Sequence, residues 1–311
     1  MVKVVLGYWK IRGLAQYLRH LLSHTGTEFE EVQYADPNKW FKEDKVSLGF
    51  DFPNIPYLID GDFKLTESSA IAKYIINRSG HKELLGKNAA DQGEVDNILG
   101  VINDILKEVR GLFFNPKYQE LAPEAFEKLR TKFDSLKKFI GDSQFALGYL
   151  TLVDFVIAEN LYYLEELFAK QIQEQYGFLG RIRHNVESLA GVQAYYKRPD
   201  AVVLPFLPGS AAFQPKARGV TIGYWGIRGL AQTPRHLLGF FGVKFENLSY
   251  TSAEGWFEGD KKTLPLNFPN IPYIIDGDFT LTESTAIQRY IINKFGKPEL
   301  LGKNPQDNAR L

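Results

Sequence analysis

Residues 7–16 read GYWKIRGLAQ, and residues 223–232 read GYWGIRGLAQ. The similarity continues downstream, where FPNIPYLIDGDF from Phe52 recurs as FPNIPYIIDGDF from Phe268. Every pair is offset by the same 216 positions without a gap, and about six positions in ten are identical over residues 7–88. A period far above about 50 residues indicates a duplicated domain and not a short solenoid unit.

Each copy alternates strand-like and helix-like segments. A β-branched run at Val2–Leu6 predicts a buried strand, and the apolar residues of Leu14–Ser23 recur at helical spacing. Asp60-Gly61 is a strong hairpin signal, and Thr66 is expected as the N-cap of the next helix. The remaining predicted elements are a strand at Glu28–Gln33, a short helix at Trp40–Leu48, and strands at Ile55–Ile59 and Phe63–Leu65. The order βαβ, then α, then ββα predicts a mixed-sheet domain of the thioredoxin type.

The segment between the two copies is predicted to be all helical. Thr151 and Asp154 form an N-terminal capping arrangement, and Pro205–Lys216 lacks periodicity and is expected to be a linker. Helical patterns cover Asp91–Phe114, Pro123–Ile140, Leu152–Phe168 and roughly Gln171–Leu189. The predicted fold class is α/β plus all-α. Its domains are expected at 1–83 (thioredoxin-like), 90–207 (all-helical), 208–218 (linker), 219–305 (thioredoxin-like) and 306–311 (the start of an absent second helical domain).

The composition excludes several classes of function. Basic and acidic residues both number 37, so a polyanionic partner such as nucleic acid is not expected. The sequence has no cysteine, which excludes disulfides, thiolate metal sites and cysteine nucleophiles. Any thiol chemistry therefore needs a thiol brought by the substrate. The five histidines form no ligand-spaced cluster, so no metal site is expected.

The sequence carries no sign of a membrane or secretory segment. No apolar stretch approaches the roughly 18 residues that a membrane helix needs, and the N-terminal apolar run is soon interrupted by Lys10 and Arg12. We therefore expect a cytoplasmic protein without a membrane partner.

Several long motifs together resemble the glutathione transferase family, and its mu class in particular. They are GYWxIRGLAQ, DFPNIPYLIDG and LTESSAI, followed by a helix with Asn103-Asp104 and then by FNPKY. The resemblance covers about residues 2–216 and resumes at about 219–307. It implies a thioredoxin-like domain that binds glutathione and a helical domain that forms the electrophile pocket.

Tyr8 is the catalytic residue that the resemblance implies. In the family, a tyrosine at this position donates a hydrogen bond to the glutathione sulfur. A free thiol has a pKa near 8.5 and is mostly protonated at neutral pH. A donor that favours the thiolate could lower that pKa by about two units for roughly 2.7 kcal/mol. The alternative is that Tyr8 only ends a buried strand.

The resemblance also implies a site for each end of glutathione. Its carboxylates need cations and a helix N-terminus, and its peptide part needs a strand-like edge. Three alternatives stay open: Asn54 only shapes a turn, Trp40 is a core residue, or Glu67 only complements the helix dipole. The implied residues are Trp9, Trp40 and Lys45 at the glycine carboxylate, Asn54, Ile55 and a cis Pro56 at the cysteinyl part, Glu67 and Ser68 at the γ-glutamyl end, and Asp104 reaching a neighbouring subunit's site.

The electrophile pocket is implied to include Leu14, Asn103 and Phe114 and to be largely apolar. Phe114 lacks the hydroxyl that a tyrosine often supplies there. Pro37 stands where an arginine is common, and Glu67 replaces a more usual glutamine.

The second copy retains the same set of residues without a helical domain after it. Its implied catalytic residue is Tyr224. Phe52 and Phe268 match the aromatic residue that plugs the family's dimer contact, so we expect either an intrachain pseudo-dimer or a homodimer. The glutathione-binding residues implied for this copy are Trp225, Trp256, Lys261, Asn270, Ile271, Pro272, Glu283 and Ser284.

The predicted function is conjugation of the glutathione thiolate to hydrophobic electrophiles, with glutathione as co-substrate and no cofactor. The alternative is a non-catalytic glutathione-binding or structural protein that uses the fold as a packing module. Thiol–disulfide oxidoreduction is less favoured, because neither copy has an active-site cysteine.

Overall fold

The computed structural model describes residues 3–213, 215, 220–243, 245–264, 266, 268–276, 279–296 and 298–302. The chain divides into two compact units, Met1–Ala217 and Arg218–Leu311. The predicted start of a second helical domain, at 306–311, lies outside the described residues.

The first unit begins with a four-stranded sheet in the order β2-β1-β3-β4. Strand β1 pairs parallel with β2 and antiparallel with β3, as expected for the thioredoxin type. Gly7 in β1 lies against Tyr57, and a Cβ there would come within 2.0 Å of the ring. The elements are β1 Val4–Trp9, α1 Gln16–His24, β2 Phe29–Tyr34, α2 Lys45–Ser47, β3 Tyr57–Asp60, β4 Phe63–Thr66 and α3 Ser68–Ser79, with a π-helical segment at Lys39–Asp44.

The start of α3 differs from the prediction. Thr66 is not the N-cap: it is the last residue of β4, and its hydroxyl donates to the Phe52 carbonyl at 3.0 Å. Glu67 occupies the cap position with φ 69° and makes no side-chain cap bond. A non-glycine residue at positive φ costs free energy. The chain therefore turns from strand to helix through a strained residue.

The helical domain follows, and its first and third helices are α4 at Ala89–Arg110 and α6 at Leu152–Gln175. The predicted capping box is confirmed, because Asp154 accepts from the Thr151 amide at 2.7 Å. The single helix predicted at Gln171–Leu189 is wrong, since α6 continues past a kink at Phe168 and a new helix begins after it ends. The other helices are α5 Tyr118–Ile140, α7 Phe178–Glu187 and α8 Ala190–Tyr196.

A buried ion pair joins the two parts of the first unit. Arg12, just after β1, donates to both carboxylate oxygens of Glu159 on α6, at 3.1 and 2.5 Å. It also donates to the Tyr196 hydroxyl at 3.0 Å. Both partners of the pair are almost fully buried. Breaking such a pair leaves an uncompensated charge, so it fixes how the sheet meets the helices.

The beginning of the segment expected as a linker packs against the first unit. The Pro205 carbonyl accepts from the Arg12 amide at 2.8 Å, and the Phe113 carbonyl accepts from the Ala212 amide at 2.7 Å. Phe206 and Phe213 are buried in the core of this unit. Aromatic burial explains why this stretch is ordered without periodic structure.

The second unit repeats the thioredoxin-like sheet in the order β6-β5-β7-β8. Its strand pairings have the same directions as those of the first. Its elements are β5 Val220–Trp225, α9 Gln232–Phe240, β6 Phe245–Tyr250, α10 Lys261–Thr263, β7 Tyr273–Asp276, β8 Phe279–Thr282 and α11 Ser284–Phe295, with a π-helical segment at Gly255–Asp260. None of the helices in the described ranges combines the length and apolar composition needed to cross a membrane.

Candidate functional site

Tyr8 lies within β1, closer to its end than to its start, and is 6% exposed. Its hydroxyl oxygen accepts a hydrogen bond from the Leu14 amide at 3.2 Å. Burial raises the pKa of Tyr8, while this amide bond acts in the opposite direction. The phenol therefore stays protonated at neutral pH, and its own proton remains available for donation.

A glycine makes room for the Tyr8 ring. Gly13 has φ +44°, and a Cβ there would come within 2.7 Å of the Tyr8 hydroxyl. A side chain at this position would meet both steric overlap and backbone strain. The glycine of the IRGLAQ motif is thus required by the position of the Tyr8 ring and by its own backbone conformation.

Tyr8 lines a cavity of about 820 Å³ in the first unit. Two of the three predicted electrophile-pocket residues, Leu14 and Phe114, also line it. Asn103 does not: it lies exposed on α4 and is not a lining residue. Its role in the electrophile pocket therefore stays a prediction that this cavity does not support. The other lining residues are Trp9, Lys10, Ile11, Gly13, Tyr34, Ala35, Pro37, Phe41, Arg110, Phe113, Asn160, Tyr163, Leu207, Pro208 and Gly209.

Several of these lining residues were not expected from the sequence. Arg110 ends α4, Asn160 and Tyr163 lie on α6, and Leu207–Gly209 belongs to the supposed linker. They lie far from Tyr8 along the chain, so no local motif connects them. A helical spacing of three residues between Asn160 and Tyr163 was the only available signal.

Trp9, Phe41 and Lys45 form a group at one side of the cavity. The Trp9 and Phe41 rings lie 5.8 Å apart, and the Lys45 ammonium lies 5.7 Å from the Phe41 ring. Trp9 and Phe41 also line the cavity. The structure thus brings together two of the residues predicted at the glycine carboxylate, one aromatic and one cationic.

Trp40 is a core residue. It is 2% exposed and stacks on Tyr57 with ring centroids 5.8 Å apart. Trp256 is equally buried and stacks on Tyr273 at 5.9 Å. A ring enclosed in this way offers little surface to a ligand. The burial of both rings favours the core alternative, and their assignment to the glutathione site stays a prediction.

A second group gathers where β3 and α3 begin. The Ile55-Pro56 bond is cis, as predicted. The Asn54 amide donates to the Glu67 carboxylate at 3.1 Å. Ser68 is the first residue of α3, whose N-terminus attracts anions. These residues set a carboxylate and a helix N-terminus side by side, as recognition of an amino acid's two charges requires.

Asp104 is separate from both groups. It lies exposed on α4 and forms an ion pair with Lys132 of α5 at 2.7 Å. The Lys132 ammonium lowers the pKa of this carboxyl group. Its expected role toward a neighbouring subunit stays a prediction.

The second copy repeats the local arrangement. Tyr224 is 7% exposed, and a Cβ at Gly229 would come within 2.9 Å of its hydroxyl. Ile271-Pro272 is cis, and Asn270 donates to Glu283 at 3.2 Å. The backbone of Glu283 has φ 71°. The remaining predicted residues are Trp225, whose ring lies 6.3 Å from Phe257, Lys261, whose ammonium lies 5.1 Å from the same ring, and Ser284, which begins α11.

The first unit joins a thioredoxin-like sheet to a helical domain and has a buried tyrosine at the cavity that they share. This combination is typical of the glutathione transferases. Family models agree: the glutathione S-transferase N-terminal domain matches residues 4–77 and 220–293, and the C-terminal domain matches residues 95–199. The chain belongs to the glutathione S-transferase family.

Individual relatives place the chain near the mu class. It is 36% identical to glutathione S-transferase 2 of Gallus gallus over 202 residues, which is 62% of this chain and 90% of the relative. It is 35% identical to a class-mu 26 kDa isozyme of Fasciola hepatica, covering 67% of this chain and 94% of that protein. The crystal structure of the glutathione S-transferase Blo t 8 matches with a TM-score of 0.58 and 30% identity, covering 67% of this chain and 99% of that one.

Proposed function

We propose that the first unit is a tyrosine-type glutathione transferase that conjugates glutathione to hydrophobic electrophiles. The observation that carries this is the Tyr8 hydroxyl. It is buried at the edge of the cavity, accepts from the Leu14 amide and keeps its own proton. In this proposal Tyr8 donates to the glutathione sulfur and favours the thiolate. The electrophile occupies the largely apolar space beside Leu14 and Phe114.

We propose that glutathione binds across the two groups described above. Lys45 and Trp9 bind the glycine carboxylate. The backbone of Ile55, before cis Pro56, pairs with the cysteinyl part. Ser68 and the N-terminus of α3 take the γ-glutamyl carboxylate, while Glu67 faces the ammonium. The hydrogen bond from Asn54 holds the Glu67 carboxylate in place. Glutathione is then a co-substrate, and no cofactor is invoked.

The thiolate pKa tests the role of Tyr8 directly. Glutathione bound to the wild type is expected to titrate about two units below the free thiol, and Tyr8→Phe is expected to remove most of that shift. Ultraviolet absorbance of the thiolate across pH measures both. An unshifted thiol in the wild type would contradict the proposed role.

A conjugation assay tests turnover. Wild type is expected to conjugate chlorodinitrobenzene, and Tyr8→Phe is expected to do so about 100-fold more slowly at neutral pH. Glutathione binding without turnover in the wild type would instead favour the non-catalytic alternative for this substrate class. Calorimetry with glutathione separates the two outcomes.

The assembly state is a further part of the proposal. Phe52 and Phe268 are each 80% exposed, so neither ring is used in the core of its own unit and each is available for a contact. We propose that the second copy serves in place of a partner subunit. Light scattering is then expected to give the 35.4 kDa mass of one chain, whereas a homodimer joined through the first units would contradict it.

A further inference from the structure

The charge of the cavity walls is one-sided. Two cationic residues, Lys10 and Arg110, are among its lining residues, and no carboxylate is. Most of the remaining lining is aromatic or aliphatic. Both cations are exposed, so an anionic group can reach them from solvent and form a charge-assisted hydrogen bond while the apolar part of the same molecule enters the cavity.

Arg110 is a cation that no neighbour neutralises, and unlike the ammonium of Lys10 it carries a planar fork of donors. Its guanidinium has no ion-pair or hydrogen-bond partner within the described part of the chain, although it could form five such bonds. By contrast, Arg130 on α5 is paired with Glu127 at 2.5 Å. The planar guanidinium of Arg110 is therefore available to bind a carboxylate through two parallel hydrogen bonds.

The simpler explanation is that Arg110 complements the dipole of α4. Both Lys107 and Arg110 lie in the last turn of that helix, where cations are favourable. The two residues differ in one respect, since only Arg110 lines the cavity. Lys107 is thus a matched control for the dipole effect.

The charge of Arg110 is felt inside the cavity. Burial raises the pKa of both Tyr8 and Tyr163, and Arg110 lowers the pKa of each by favouring the phenolate. Its positive potential therefore extends to the hydroxyl proposed to hold the sulfur.

We propose that Arg110 binds a carboxylate of the electrophile, so that this site selects hydrophobic electrophiles that carry an anionic group. The inference rests on the proposed function and specifies its substrate class. Arg110 takes no part in bond making. It is a specificity residue that holds the anionic end of the substrate while the apolar walls hold the rest.

A chloroaromatic carboxylate illustrates the reaction. The glutathione sulfur forms a bond to the ring carbon that carries chlorine. The carbon–chlorine bond then breaks, and chloride leaves with its electron pair. The proton of the original thiol passes to solvent, and the carboxylate stays unchanged on Arg110 throughout.

The test compares two substrates that differ in one charge: 4-chloro-3,5-dinitrobenzoate and its methyl ester. Each kcat/KM is divided by the uncatalysed rate with free glutathione, which removes the difference in intrinsic reactivity. Arg110→Met is expected to lower the ratio of acid to ester about tenfold, the effect of losing a charge-assisted hydrogen bond. Lys107→Met is expected to leave the ratio unchanged, and Arg110→Lys to retain part of the preference.

The ratio of acid to ester kcat/KM also separates an effect of Arg110 on the substrate from an effect through Tyr8 and the thiolate. If Arg110→Met slowed both substrates equally, the residue would act only through the thiolate, and the proposal would be wrong. If Lys10→Met lowered the ratio while Arg110→Met did not, the assignment to Arg110 would be wrong. Unchanged thermal unfolding of the variants controls for misfolding.

A binding measurement keeps this inference separate from turnover. The glutathione conjugates of the acid and of the ester are titrated into wild type and Arg110→Met by calorimetry. Tighter binding of the acid conjugate, lost in Arg110→Met, supports the proposal even if neither substrate is turned over and the proposed function fails. Equal dissociation constants in the wild type, or no binding of either conjugate, overturn it.

Discussion

Arg12 and Arg228 hold the same position in the two copies, but their surroundings differ. Arg12 is 3% exposed and paired with Glu159, whereas Arg228 is exposed. The same contrast separates buried His20 from exposed His236. Arg12 and His20 are thus buried against residues of the helical domain, whereas Arg228 and His236 are not buried. The same motif therefore holds a buried, ion-paired arginine in the first copy and an exposed arginine in the second.

Breaking the Arg12–Glu159 pair should give the largest difference between the copies. Arg12→Met leaves the Glu159 carboxylate buried without its partner, which should cost about 3–5 kcal/mol of unfolding free energy in the first unit. Arg228→Met should change the second unit by less than about 0.5 kcal/mol. Hydrogen exchange resolved by peptide measures each unit separately. Similar losses in the two units would show that burial does not distinguish the arginines.

The two tyrosines sharpen the comparison at the level of catalysis. Tyr8→Phe should lower the conjugation rate about 100-fold, equivalent to roughly 2.7 kcal/mol. Tyr224→Phe should change it less than about twofold, because the cavity described above belongs to Tyr8. The double variant should match Tyr8→Phe alone. A comparable loss in Tyr224→Phe would make the second copy an active site.

Acid should destabilise the first unit through His20. Burial, with Arg12 and Arg19 nearby, holds the pKa of His20 well below its usual value. Gln16, Tyr195 and Tyr196 also face the ring and supply no negative charge at neutral pH. The unfolded state therefore takes up a proton first, and stability falls as pH drops below about 6.5, by at most about 1.4 kcal/mol per pH unit.

The pH effect is read as a difference between variants. The gap in unfolding free energy between wild type and His20→Asn should narrow as pH falls from 6.5 to 5.5. His236→Asn changes an exposed side chain and serves as the matched control. Taking the difference also cancels opposing groups such as Asp154, whose burial raises its pKa to about 6. A gap independent of pH would contradict the prediction.

The smallest effect is expected from Phe52→Ser and Phe268→Ser. Both side chains are equally exposed, so each substitution should alter the unfolding free energy by less than about 0.5 kcal/mol. Their effect should appear instead in the contact proposed between the two copies, and dynamic light scattering of the two variants beside wild type measures it as an increased hydrodynamic radius at unchanged mass. A large loss of stability in either variant would show that the ring supports the fold itself.

The fold was largely predictable because it depends on patterns within short segments. The repeat predicted two sheets of one topology, and the Thr151–Asp154 spacing predicted the start of α6. Hydrophobic periodicity encodes elements of this kind locally. The start of α3 was missed, because φ 69° at Glu67 reflects tertiary constraint against local preference.

The site was predictable only where one motif contains it. Tyr8 and Leu14 lie within a single ten-residue pattern and meet in the structure at 3.2 Å. Arg110 and Asn160 reach the same cavity from separate helices. For Trp40, the motif predicted the residue but not its environment, since an amphipathic ring suits a core as well as a binding surface. Which of the two it occupies depends on its tertiary neighbours.

Glu67 and Glu283 have nearly the same left-handed backbone, at φ 69° and 71°. A glycine would adopt it without strain, and a single base change turns a glutamate codon into a glycine codon. The two copies have diverged at about four positions in ten, yet neither has taken this route. Neutral drift would be expected to remove a costly residue from a redundant copy. Both copies instead keep the glutamate. Selection for the carboxylate, acting on both halves of the gene, would produce this result.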